Sequence, residues 1–278
     1  MKQVLLLLTF FCISSCSFAE VIYKNLDWYM VWQVNRIIDL DAEQERYVER
    51  AAENYMSWHR VEELPLYRDL LIRIRNMAAD SLTAVELDSA YTAIKERVQV
   101  LMESASDETA DLLVTLTPEQ IDGMEKNMEK MNRRFDKQED EDGSKQRKKR
   151  VDRIQERVED WVGALSPEQE KWLISYAMQM PTSTDYWLEH RRWRQKQLLD
   201  ILRGKNGEDE KKSAIRSWVV RQDFGKSENY VRAERTAQEA TIRFIVEIDR
   251  RLTSLQRQYL LEKLAKYIRI AEDLTRKS

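Results

Sequence analysis

The sequence predicts an all-α protein, a bundle or curved layer of antiparallel helical hairpins. Three observations predict it. With 6 Gly and 4 Pro in 278 residues there are too few turn formers for a sandwich, a barrel or a glycine-rich phosphate loop. Helix-forming Lys, Arg, Glu, Gln, Leu and Ala dominate instead. Apolar residues recur at helical rather than strand spacing, and a helix-start signal repeats along the chain.

The first element is an address label. Met1-Lys2-Gln3 is a short basic start, and Val4 to Ile13 is an apolar run too short for a comfortable permanent membrane anchor, so residues 1–15 read as a secretory signal peptide. Ile13-Ser14-Ser15-Cys16 resembles the lipobox of bacterial lipoproteins. That resemblance makes Cys16 the lipidation site and the first mature residue; ordinary cleavage after Ala19 is the alternative. Ser17, in the place where Asp signals inner-membrane retention, points to the outer membrane, periplasmic face. Cys12 leaves with the signal segment, so a lipidated mature chain keeps no free thiol.

Residues 16–278 read as one periplasmic helical domain. Five helix starts carry a leucine, a capping residue and Gln or Glu three places on: Leu40-Asp41…Gln44, Leu82-Thr83…Glu86, Leu116-Thr117…Gln120, Leu165-Ser166…Gln169 and Leu252-Thr253…Gln256. Pro118 and Pro167 occupy the first helical position, where no amide is needed. Between these starts run apolar stripes: Ile121, Met124, Met128, Met131 and Phe135; Val151, Ile154, Val158, Trp161, Val162 and Leu165; Leu260, Leu264, Tyr267, Ala271 and Leu274. Polar breaks near 139–145 and 204–210 read as exposed joints rather than domain boundaries. Helices ending at Trp161 to Ala164 and running from Thr241 to Arg251 each lead into a capped turn, a weak internal repeat of irregular spacing.

A formal charge of −3 from 46 basic and 49 acidic residues supplies no field for nucleic acid, and 2 His with 2 Cys cannot fill a standard structural zinc site. No Ser-His-Asp order, HExxH or phosphate loop occurs, so no catalytic residue, metal or cofactor is expected. Oligomeric state is not legible.

Ile22 to Trp28, Trp58-His59-Arg60 with Glu63 to Tyr67, and Trp161 to Gln169 together resemble a family of uncharacterised proteobacterial lipoproteins, over most of the mature chain. The Leu-Thr-Pro-Glu-Gln and Leu-Ser-Pro-Glu-Gln segments look like the LTxxQ motif of the Spy and CpxP periplasmic proteins. That likeness implies an all-helical chaperone or stress adaptor; the lipid anchor, greater length and extra motif copies depart from it.

Several residues are candidates for interaction. Trp58, His59, Arg60 and Glu63 cluster, with His59 and Glu63 four apart; such a pair suits acid–base work, or an ion-pair network where Pro65 breaks or restarts the helix. His190 lies between Glu189 and Arg191 in a similar setting. Met124, Met128 and Met131 form either a pliable client-binding face or core. Trp187 and Arg191, with Arg192, Trp193 and Arg194, suit an anionic partner or internal guanidinium stacking. Trp28, Tyr29 and Trp32 follow the anchor and suit either the bilayer interface or packing on the body. The partners expected are the membrane through the lipid and envelope proteins or unfolded clients; a structural or assembly lipoprotein with one folded partner is the alternative.

Overall fold

The computed structural model describes residues 23–139 and 143–276, and these form helices and turns alone. The signal segment, Cys16 and the centre of the acidic stretch lie outside the described residues. In chain order the helices are α1 (Leu26–Asn35), α2 (Ala42–Trp58), a π-helical turn (His59–Glu63), α3 (Leu64–Ala79), α4 (Ala84–Ser104), α5 (Ser106–Val114) and α6 (Pro118–Glu139). They continue with α7 (Gly143–Val162), α8 (Pro167–Gln179), α9 (Thr184–Arg203), α10 (Glu208–Val220), α11 (Glu228–Asp249) and α12 (Ser254–Arg276).

All five predicted caps form. Asp41, Thr83 and Ser166 each accept from the amide three residues on, and Gln44, Glu86 and Gln169 reach back to the cap amide. Thr117 with Gln120, and Thr253 with Gln256, make the same reciprocal pair. The helix expected from Thr241 begins earlier, at Glu228, where Ser227 accepts from the Tyr230 amide.

Four of these caps are joined in two pairs. The Gln44 and Gln120 amides bond each other reciprocally, at 3.2 and 2.6 Å. Gln169 and Gln256 do the same at 2.9 Å in both directions. Each glutamine then spends its second N–H on the carbonyl two residues before the partner's cap: Gln44 on Thr115, Gln120 on Asp39, Gln169 on Arg251 and Gln256 on Ala164. Each side-chain oxygen also accepts from its own cap amide. Both hydrogens and both lone pairs of every amide are thereby used. The remaining start carries Glu86, an acceptor-only carboxylate that cannot donate across such a junction, and its cap pairs with no other.

These glutamine junctions reveal a larger repeat than the two turns legible in sequence. The segments α1–α6 and α7–α12 use corresponding elements throughout. In each, a closed hairpin (α1/α2, α7/α8) meets a corner (α5/α6, α11/α12) through its glutamines. The halves interlock: α3 packs along α12 as α9 packs along α6, and α4 meets α11 as α10 meets α5. At the corners α5 and α6 diverge to cover α10 and α9 rather than one another. The break near 139–145 accordingly joins two halves that share their packing.

Apolar burial follows the same plan. One cluster, with Leu113, Ile121, Met124, Leu199 and Ile215, fills the space between α5, α6, α9 and α10. Leu173, Ala177 and Phe244 join α8 to α11, while Leu64, Ala271 and Leu274, then Ala78 and Leu264, line the long α3–α12 contact. Asp249, 2% exposed, pins that region. It accepts from the Leu82 amide at 3.0 Å and from Arg257 at 2.9 Å, and Arg257 also reaches the Ala78 carbonyl.

Candidate functional site

The chemistry-bearing candidates separate into distinct places. Around the π-helical turn, Pro65 lacks the N–H that Val61 would receive in an α-helix, and the chain widens so that the Leu64 amide reaches the His59 carbonyl. Pro65 therefore does not stop the chain's helical course; it sits in the first turn of α3, where the α-helix restarts after the π-helical turn. The extra residue swings His59 and Glu63 to different partners. His59 Nδ1 meets the Tyr23 hydroxyl at 2.9 Å, and its ring packs among Tyr23, Tyr55, Trp58 and Tyr67. Glu63, 2% exposed, pairs instead with Arg97 on α4 at 3.2 Å, leaving its second oxygen buried without a partner. Arg60 lies against the Tyr23 hydroxyl.

Burial pushes His59 down to about 4 and Tyr23 up to about 12. Tyr55 and Tyr67 are raised for the same reason, and burial raises Glu63 against the opposing pull of Arg97. The imidazole and three phenols are thus neutral at pH 7, and with Glu63 turned to Arg97 the fold does not bring His59 and Glu63 together as a pair.

Met124 is 1% exposed in the first core, with Met128 half-buried against it and Met131 half-buried farther along α6. The methionine stripe is consequently mostly core, and Met124 is closed to any partner. Trp187 and Arg191 also build the fold: Arg191 lies over Phe135 of α6 and over Trp187, and Trp187 packs edge-on to Phe135. Arg192 pairs with Asp136 and Arg191 bonds Asn132, so this cationic run is largely spent on α6.

One turn round α9 from that seam lies a site that sequence reasoning did not assemble. Tyr186, His190 and Trp193, at i, i+4 and i+7, face the turn after α10 and the start of α11. Their rings continue through neighbours: Tyr186 on Tyr230 at 6.3 Å, Tyr230 to His190 at 5.5 Å, His190 on Trp193 at 5.7 Å, and Trp193 to Phe224 at 5.8 Å. Tyr230 and His190 are buried at the base, whereas Tyr186 and Phe224 are 36% and 54% exposed. Val231, beside Tyr230 in sequence, is 52% exposed. Cations edge the ridge, with Arg221 over Phe224 at 4.5 Å and Lys226 over Tyr230 at 4.9 Å.

The ridge is held from below. Gly225 has φ +78°, and a Cβ there would fall within the indole ring of Trp193, so only glycine lets the turn pass so close. Arg194 donates to the Trp218 and Arg221 carbonyls, His190 Nε2 lies 3.2 Å from the Gln222 carbonyl, and Lys226 pairs with a largely buried Glu234 at 2.5 Å. Burial, as the largest cause, lowers the His190 pKa, so the ring is neutral at pH 7. Phe224-Gly225 in a short inter-helix turn was the available signal, but nothing in sequence tied it to Trp193, thirty-one positions earlier.

Two open grooves flank the second glutamine junction. One, about 350 Å³, is lined by Trp172, Gln169 and Arg251, with the guanidinium 4.2 Å over the indole; a neighbouring one of about 530 Å³ runs between Arg75 and Arg257. Among the described residues no group of three or more His, Cys, Asp or Glu is placed to hold a metal ion. No described helix is long and apolar enough to cross a membrane.

No characterised protein and no solved structure matches the chain. Residues 36–230, from the end of α1 to the start of α11, match a family of unknown function, and on that match the chain belongs to the DUF6279 family.

Proposed function

We propose that this protein is a lipid-anchored outer-membrane lipoprotein, facing the periplasm, that acts by binding another envelope protein without catalysis or cofactor. The ridge from Tyr186 to Phe224 carries this reading. Aromatic and arginine side chains supply the anchors of most protein interfaces, and a pair of exposed rings on a buried, hydrogen-bonded base offers them at low entropic cost. The lipobox supports the anchor, and the neutral, packed state of the His59 cluster supports a non-catalytic role.

Of the two binding readings, assembly with one folded partner is favoured over holding many unfolded clients. Client holding needs adaptable apolar surface such as exposed methionine, and on α6 Met124 is buried in the core with Met128 packed against it. A ridge fixed by Gly225 and Arg194 suits a single complementary surface. The LTxxQ likeness supports the client-holding version.

Proximity crosslinking from the native anchored protein tests the two together. One dominant partner, lost in a folded Phe224→Ser/Tyr186→Ser variant, is expected. Many diverse clients, with suppression of light scattering from a reduced model substrate by stoichiometric protein, would instead establish the chaperone-like role.

A further inference from the structure

Helix α1 is anomalous. Its sequence, LDWYMVWQVN, is apolar nearly all round, yet not one of its residues is buried. A helix with apolar character on every side belongs in a core or in contact with lipid. Here it packs on α2, with Val34 half-buried against the first core, while Trp28 is 65% and Trp32 42% exposed at i and i+4 on one face. Its counterpart in the other half, α7, buries both Val151 and Val162. The body therefore leaves unsealed the one helix that lies next to the N-terminal tail.

We propose that the outer face of α1 rests in the bilayer interface, with Trp28 and Trp32 among the lipid headgroups and upper acyl chains. This rests on the anchored reading of Cys16 and adds to it the surface on which the domain lies. Between residue 16 and residue 26 a fully extended chain spans at most about 35 Å, so a lipid on Cys16 keeps α1 within reach of the membrane. Tryptophan is the side chain best suited to that depth, having an apolar body and one N–H for water or headgroup. Arg36, one turn farther on, lies with its guanidinium 4.6 Å from the Trp32 ring, where it meets lipid phosphate as the indole enters the interface. At about 15 Å long, α1 is too short to span and lies flat. Tyr23 meets His59 at the π-helical turn, and Val61 within that turn and Leu66 just after it are exposed.

Cys16 allows a test independent of cellular lipidation, because it is the sole cysteine of the chain from residue 16 onward. That chain, which holds every described helix, is coupled through Cys16 to maleimide-headgroup phospholipid in phosphatidylethanolamine/phosphatidylglycerol vesicles doped with brominated phosphatidylcholine. Expected is quenching of tryptophan emission by the brominated chains, most of it lost in Trp28→Gln/Trp32→Gln. Trp28→Phe, which keeps an apolar ring, should lose part of the quenching and guards against a misfolded double variant; circular dichroism checks the fold. Unquenched wild type, or equal quenching in the variants, overturns the proposal. So does a vesicle-free dimer abolished by the same substitutions, which would show that a second copy covers this face. Intact mass of the native protein reports separately on Cys16. An unmodified cysteine sinks the anchored reading, whereas a lipidated chain with unquenched indoles sinks the α1 proposal alone.

Discussion

A change of one atom type at Gln256 separates the two roles of these glutamines. Glutamate serves well as the third residue of a capping box, as Glu86 shows, but it has no N–H for the Ala164 carbonyl or the Gln169 amide. Gln256→Glu is therefore expected to keep the cap and lose about 1–3 kcal/mol through unmet polar groups in a 7% exposed position. Urea unfolding should show the loss at pH 7 and its partial recovery in acid, while Glu86→Gln at the solitary cap should be nearly silent. Arg257→Ala should cost more, about 3–5 kcal/mol, since it strands the buried Asp249 carboxylate. His59 sets a pH dependence. Its folded pKa of about 4 lies below the ordinary 6.5, so the unfolded chain binds the extra proton. The contribution is intact above pH 6.5 and falls away as pH drops through 6.5 towards 4; the stability of a His59→Gln variant should vary less over that window.

Elements are shaped here by what lies just outside them. Two glycines have left-handed backbone, Gly163 directly after α7 and Gly225 in the turn between α10 and α11, and their substitution should differ sharply. At Gly163, φ +81°, an added Cβ meets only the Tyr259 ring at ordinary contact distance, so Gly163→Ala should cost about 1 kcal/mol of backbone strain. At Gly225 the same change drives into Trp193 and must displace the indole, so Gly225→Ala should be several times more damaging and should alter near-ultraviolet circular dichroism. The two midpoints in chemical unfolding check the ranking. The five capping-box starts were legible, because such a cap needs only residues within one turn of chain, whereas the start of α11 at Ser227 was missed. The π-helical turn was not: Pro65 announces a disturbance, but whether the chain stops, kinks or widens depends on what it must pack against, here Arg97 and the aromatic rings around His59.

For the molecule as a whole, interlocked halves make a specific demand on folding. Because α3 and α4 find their partners in α12 and α11, and α9 and α10 find theirs in α6 and α5, neither half can bury its own third and fourth helices. Chains ending near residue 140 and beginning near residue 143 should each be poorly ordered alone and should regain native helicity and cooperative unfolding when mixed; two independently folded fragments would refute the interlock. Sequence alone determined the helical class, the five caps and most of the stripes that became core, since each rests on composition or on residues within a few positions of one another. It also held, unread, the distinction between four glutamines and one glutamate at the third capped position. Tertiary structure decided the rest: which caps pair, that His59 and Glu63 part company, that Met124 is spent on the core, and that Tyr186, Tyr230, Trp193 and Phe224 form one ridge. Those outcomes depend on contacts between residues dozens of positions apart, and helical periodicity states which face of a helix is apolar without stating what comes to cover it.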